Sequence, residues 1–188
     1  MNERSTDILG APVNKTRLEF LFDGIFAIAM TILVLELKIP ELTEHRSGAE
    51  LLHFLAHHAA AFGSWLLSFV VLGAFWFQHQ RLYRWLHRIT RPLLLIHLWL
   101  MATAALFPFC AALVGRYPGN RVALLTYMTC AWLHIAALTT LWIVAIRQKA
   151  LDPQLDPIEI RKVRNRQLRG CLGFLALTIA YFVFLPRL

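Results

Sequence analysis

The sequence predicts an all-α integral membrane protein, a helical bundle of about five transmembrane helices per subunit. Three observations carry this prediction. Of 188 residues, 58% are hydrophobic and only 16% are charged, where a soluble domain carries about 25% charged residues. The apolar residues fall in long blocks. Each block is long enough to cross a hydrocarbon core of about 30 Å at about 1.5 Å per residue.

Residues 1–17 form a polar N-terminal segment, read as cytoplasmic. It lacks a small-residue cleavage site, so the apolar block behind it reads as a retained span and not a signal peptide. Residues 18–188 read as one transmembrane domain. Its spans are placed at about 18–37, 51–77, 93–114, 122–146 and 168–185, with the second able to continue as helix to His87. Pro40, Pro92 and the Pro118-Gly119-Asn120 turn punctuate them, as residues that stop helices or favour turns do. Pro108 lies inside the third span and should kink it, because it removes a backbone donor. Residues 152–169 read as a polar connection, partly helical.

Loop charge sets the orientation. The N-terminus carries Arg4, Lys15 and Arg17, and the connection after the second span carries Arg81, Arg84, Arg88 and Arg91. Arg147, Lys149, Arg161, Lys162, Arg164, Arg166 and Arg169 follow the fourth span. The opposite side holds only Lys38, Arg46, Arg116, Arg121 and Arg187. Basic residues favour the cytoplasmic side, so the N-terminus is placed inside and the C-terminus outside. The net charge of +8 then reflects contact with an anionic inner leaflet rather than nucleic acid.

Enzyme signatures are missing. No nucleophile–base pair, phosphate loop or dinucleotide fingerprint occurs. Cys110, Cys130 and Cys171 lie in apolar segments at unrelated spacings, which suits neither a disulfide framework nor a zinc site. His53, His57 and His58 form a His-x-x-x-His-His box. Imidazoles at such spacing can share a metal, so a membrane metalloenzyme is an alternative reading. The other histidines are scattered singly, and the box falls near the outer surface as a wet cluster.

The first span carries the strongest pattern. At about 100° per residue, Arg17, Phe20, Gly24, Ile28, Thr31, Leu35 and Lys38 share one stripe. A packing face and a pore lining both fit it: Gly24 would admit a close neighbour and Thr31 would hydrogen-bond. Asp23 lies about 100° off the stripe, facing a neighbouring helix. A carboxylate inside a span is costly and needs a partner within the protein. His79 and His97 lie at matching depth, and with Arg17 they complete a candidate structural polar network. A proton-coupled transporter using Asp23 is the second alternative.

These residues resemble the transmembrane protein 175 family of lysosomal potassium channels and their bacterial relatives. Arg17, Asp23, Gly24, Ala27, Ile28, Thr31, Leu33 and Leu35 stand where the family's first-helix signature puts them. Phe75-Trp76 with His79 is similar to its second-helix motif, and Leu106-Phe107-Pro108-Phe109 to its third. Leu21 and Phe22 depart from the signature's Phe and Ser, which removes a hydroxyl beside Asp23. Bacterial members look like six-span subunits, whereas five spans are read here.

The resemblance implies a homotetramer with the first helix of each subunit around a pore. It implies a hydrophobic constriction at Ile28, with Leu35 further along the stripe, and a hydroxyl selectivity layer at Thr31. The function it implies is a potassium-preferring cation leak channel in the inner (plasma) membrane. Such a channel has no catalytic residues, resident metal or cofactor; K⁺ is its permeant ion and the lipid bilayer its surroundings.

Overall fold

The computed structural model describes residues 14–37, 39 and 48–184. Six α-helices follow one another: α1 (Lys15–Ile32), α2 (Gly48–His57), α3 (Ala59–Tyr83), α4 (Arg91–Arg116), α5 (Arg121–Arg147) and α6 (Pro157–Phe184). A tighter 3-10 turn, Leu33–Glu36, continues α1. No strand occurs among the described residues, apart from one isolated bridge between Leu86 and Leu151.

Four of these segments are long and apolar enough to cross a membrane: Lys15–Glu36, Ala59–Tyr83, Arg91–Arg116 and Arg121–Arg147. The protein is a multi-pass membrane protein. The fifth expected span, 168–185, falls on the second half of α6, and its last residue lies outside the described ones. Five cations crowd the first half of that helix. Its uncharged stretch, 170–184, covers only about 22 Å. α6 nevertheless runs the length of α5. Trp142 Nε1 donates to Ile160 O, and Thr139 Oγ1 to Gln167 O. At the far end Arg121 Nη2 donates to Phe182 O across 2.7 Å.

The second span begins later than its apolar block. The block from residue 51 is split at His58, where φ −98° and ψ 14° leave the helical region. His58 Nδ1 sits 2.9 Å from Phe54 O, the carbonyl that also accepts the His58 backbone N–H. The side chain folds back on its own helix as the chain turns. α2 has no buried residue, and α3 forms the spanning helix.

Helix ends are set locally. Asn14 Oδ1 accepts from Arg17 N, and Asn120 Oδ1 accepts from Val122 N and Ala123 N, so each asparagine satisfies donors that a helix start leaves unpaired. Gly119 takes φ +79° in the preceding turn, a conformation glycine adopts without steric cost. At the end of α5, Lys149 has φ +50°, and Ala150 N donates to Ala145 O. This left-handed cap returns the chain towards α3. His87 N then donates to Ala150 O, and Asp152 N to Trp85 O, tying together the two connections on that side.

α4 is the centre of the bundle, with α1, α3 and α5 packed on it. Leu72, Leu93, Leu100, Phe107 and Leu138 are fully buried between these helices. α4 continues through Pro108 as one helix. Proline supplies no N–H to Ala104 O, and in the preceding residue the Cys130 thiol reaches Thr103 O at 3.5 Å. α3 and α4 come close at Gly115, where an added Cβ would lie 2.7 Å from Ser64 Oγ.

Candidate functional site

α1 has two unlike faces. Leu18, Phe22, Phe26 and Ala29, with Leu33 of the 3-10 turn, are buried. Their spacing of three and four residues keeps them on one side of a 3.6-residue helix. The stripe of Arg17, Phe20, Gly24, Ile28, Thr31 and Leu35 lies roughly half a turn around the helix from them, and all six are exposed in the single chain. Ile28 is 57% exposed and Leu35 76%. A Cβ placed on Gly24 would meet nothing within 4 Å. Among the described residues no helix packs on Gly24, so it serves no close approach within the chain. Lys38, at its end, lies outside the described residues.

Thr31 sits on this face with its hydroxyl directed back along the helix, 3.0 Å from Ala27 O and 2.9 Å from Ile28 O. The hydroxyl hydrogen is used within α1. The oxygen lone pairs remain for a donor or a cation beyond the helix.

Asp23 leaves the stripe sideways and meets α3. Its Oδ1 accepts from Trp76 Nε1 at 2.8 Å and from Gln80 Nε2 at 2.6 Å. The donors are four residues apart, so they rise from one face of α3. The partners named from the sequence were His79, His97 and Arg17, and none of them bonds Asp23 here. The reason is helical phase. His79 belongs to the buried face of α3 with Leu72, Phe75 and Leu82, which turns it towards α4. The sequence signal for the true partners was a Trp and a Gln four apart at the end of a span, both with N–H donors.

The two histidines meet in the interior of the helical bundle. The His79 and His97 rings are 5.2 Å apart edge to face, and Phe22 stacks on His79 at 3.4 Å. Tyr83 closes on His79 at 5.3 Å, while its hydroxyl donates to Lys15 O. His134 of α5, which sequence reading left aside, stacks on Phe75 at 4.4 Å and is hydrogen-bonded through Nδ1 to Thr103 Oγ1 at 2.7 Å. His97 Nδ1 lies 2.6 Å from Leu93 O. Both ring nitrogens of His79, and Nε2 of His97 and His134, have no hydrogen-bond partner among the described residues. Arg17 is exposed in the first turn of α1, away from this group.

The His53, His57 and His58 box sits on and just after α2. His53 and His57 are exposed, with ring centroids 6.1 Å apart. Among the described residues no group of three or more His, Cys, Asp or Glu side chains could hold a metal ion. Cys110, Cys130 and Cys171 are free thiols.

The family profile for the endosomal/lysosomal potassium channel TMEM175 matches residues 17–108. A potassium channel from Chryseobacterium is 32% identical over 146 residues, covering 76% of this chain and 71% of that protein. The chain belongs to the TMEM175 family. A potassium channel from Streptomyces collinus is 29% identical over 163 residues, which is 84% of this chain and 78% of the relative. The endosomal/lysosomal proton channel TMEM175 of Gallus gallus is 27% identical, over 58% of this chain and 23% of that protein. The crystal structure of a lysosomal potassium-selective channel TMEM175 homolog from Chamaesiphon minutus matches with a TM-score of 0.77 at 25% identity. That match covers 90% of this chain and 87% of the other. The TMEM175 profile spans α1, α3 and the first part of α4, so it contains Asp23, its two donors and the whole stripe. The family and these relatives are ion channels, not enzymes.

Proposed function

We propose that this chain is the subunit of a homotetrameric, potassium-preferring cation leak channel in the inner (plasma) membrane, with its N-terminus in the cytoplasm. The observation that carries the reading is the exposed stripe of α1. A spanning helix whose opposite face is fully packed keeps Gly24, Ile28, Thr31 and Leu35 uncovered, a face that can line an axis shared by several copies. One stripe cannot enclose a pore, whereas four related by a closed rotation can. Family membership supports the reading, since its relatives bear potassium-channel names.

In this arrangement Ile28 and Leu35 form apolar rings that close the path by dewetting, and Thr31 supplies a ring of hydroxyl oxygens that replaces part of an ion's hydration shell. The Thr31 hydrogen is held by the helix, which presents the oxygen as an acceptor. Selectivity from one hydroxyl layer is moderate, because few oxygens touch the ion. Asp23 stands to the side, with Trp76 and Gln80, and fixes the angle of α1 against α3. His79 and His97 support α1 through ring packing with Phe22, and Arg17 stands exposed at the cytoplasmic start of the stripe. No catalytic group or cofactor takes part; K⁺ is the permeant ion.

Current through purified protein in planar bilayers under opposed K⁺ and Na⁺ gradients tests this. A reversal potential displaced towards that of K⁺ is expected. A silent bilayer with protein of verified mass and helicity, or equal K⁺ and Na⁺ permeability, would overturn it.

A further inference from the structure

Five cations lie within nine residues at the start of α6: Arg161, Lys162, Arg164, Arg166 and Arg169. α6 places three of them, Lys162, Arg166 and Arg169, at spacings of four and three, on one face over about 10 Å of its length. All three are exposed. The helix turns Ile160, Val163, Gln167 and Phe174 inward instead. Gln167 ties this level to the end of α3, accepting from Gln78 Nε2 at 2.7 Å, and Trp142 holds the preceding turn through Ile160 O. The cationic face is therefore held at the depth where α3 leaves its apolar stretch.

Two more observations point to what meets it. Nearby carboxylates at the start of the helix are engaged with backbone: Asp156 Oδ1 accepts from Ile158 N, and Asp152 Oδ1 from Gln154 N. Glu159 lies in the first turn of α6, at the positive end of the helix dipole. Beyond Arg169 the same face continues with Gly173, Ala176 and Ala180, all exposed, and a Cβ on Gly173 would meet nothing within 4 Å. Cations in register with a smooth apolar track match an anionic headgroup joined to an acyl chain.

We infer that Lys162, Arg166 and Arg169 form a binding site for an anionic phospholipid, its phosphate held by the three cations and an acyl chain lying along Gly173, Ala176 and Ala180. The site lies on the outside of the subunit and does not depend on the pore reading. Its test reads lipid retention, not current.

Native mass spectrometry of the full chain, purified in detergent with equal dioleoyl phosphatidylglycerol and dioleoyl phosphatidylcholine, measures the ratio of the two lipids retained. Phosphatidylglycerol should dominate in the unmodified protein. Each of Lys162→Gln, Arg166→Gln and Arg169→Gln should lower the ratio by about fivefold at low salt. Gly173→Leu, with every charge intact, should lower it as well by blocking the track. Arg81→Gln combined with Arg84→Gln, on the same side of the membrane, should leave it unchanged. Equal loss in this control would show general surface charge, and an unchanged ratio in the α6 variants would show no site; either overturns the inference. So would full displacement of phosphatidylglycerol by millimolar inorganic phosphate, which would identify a site for free anions. The single substitutions are at exposed positions, so each variant keeps a readable fold.

Discussion

Trp76 donates its indole N–H to the Asp23 carboxylate across 2.8 Å, and Gln80 donates to the same oxygen from one turn further along α3. The spanning helix with the exposed stripe is thus anchored sideways, by a charge that never joins the stripe. Hydrogen bonds to a charged group contribute about 1.5–3 kcal/mol each. Asp23→Ala should lower the thermal midpoint and the yield of the assembled form while leaving ion preference intact. Trp76→Phe should cost less, and adding it to Asp23→Ala should cost almost nothing more, because the two share one interaction. Fluorescence-detected thermal unfolding of the four proteins in detergent gives the cycle. Additive losses would separate the two residues, and altered selectivity in a well-assembled Asp23→Ala protein would place the carboxylate beside the ions.

Ile28→Asn and Thr31→Ala distinguish a pore from a dry contact between subunits. An amide at a dewetted ring draws in water, and removing about 1.4 kcal/mol from a barrier multiplies the rate about tenfold. Ile28→Asn should therefore raise single-channel conductance with assembly intact. Thr31→Ala should keep current while lowering preference for K⁺ over Na⁺. If the stripe is instead a lipid-dry helix contact, Ile28→Asn dissociates the assembly and Thr31→Ala is silent.

Gly24 and Gly115 should respond oppositely. Gly24 has open space within its own chain, so Gly24→Ala leaves the subunit fold unchanged; any effect it has is read in conductance or assembly. Gly115 has Ser64 Oγ at 2.7 Å and Ala61 Cα at 3.2 Å from the position of an added Cβ. Gly115→Ala should destabilise the α3–α4 contact by about 1–3 kcal/mol, as overpacking does. Ser64→Ala in the same chain should recover part of that, leaving the backbone contact. Equal thermal midpoints for both single glycine variants would refute this account of the contact.

His79 and His134 also separate. His79 is fully buried, with both nitrogens unpartnered among the described residues, and an unpaired buried polar group costs about 1–3 kcal/mol. His79→Leu removes that penalty but gives up the stacking on Phe22, so it should be close to neutral. His134→Leu removes the side-chain partner of Thr103 Oγ1, which keeps its backbone acceptors Trp99 O and Leu100 O, and the ring stacked on Phe75, and should destabilise. Chemical or thermal unfolding of the two variants orders them, and a larger loss for His79→Leu would contradict the reading.

The sequence by itself determined what depends on composition and on period within one helix. Long apolar blocks identify an all-α membrane protein because a bilayer accepts helices that satisfy their own backbone. The stripe through Gly24, Ile28 and Thr31 was legible because 100° per residue is fixed before any tertiary contact forms, and the asparagine, proline and glycine boundaries were legible because they act on neighbouring residues. What depends on two helices at once was not legible. Which α3 side chains reach Asp23 is set by the relative rotation and depth of α1 and α3, and a difference of one residue, about 100°, exchanges His79 for Gln80. The meeting of His79, His97 and His134 needs three helices in register. The break at His58 comes from a side chain bonding its own preceding turn within an apolar block, which hydropathy does not register. By composition, residues 152–169 read as a polar, partly helical connection; that the helix runs unbroken through its cationic half into the apolar stretch was decided by α5 and α3, whose contacts hold Ile160 and Gln167.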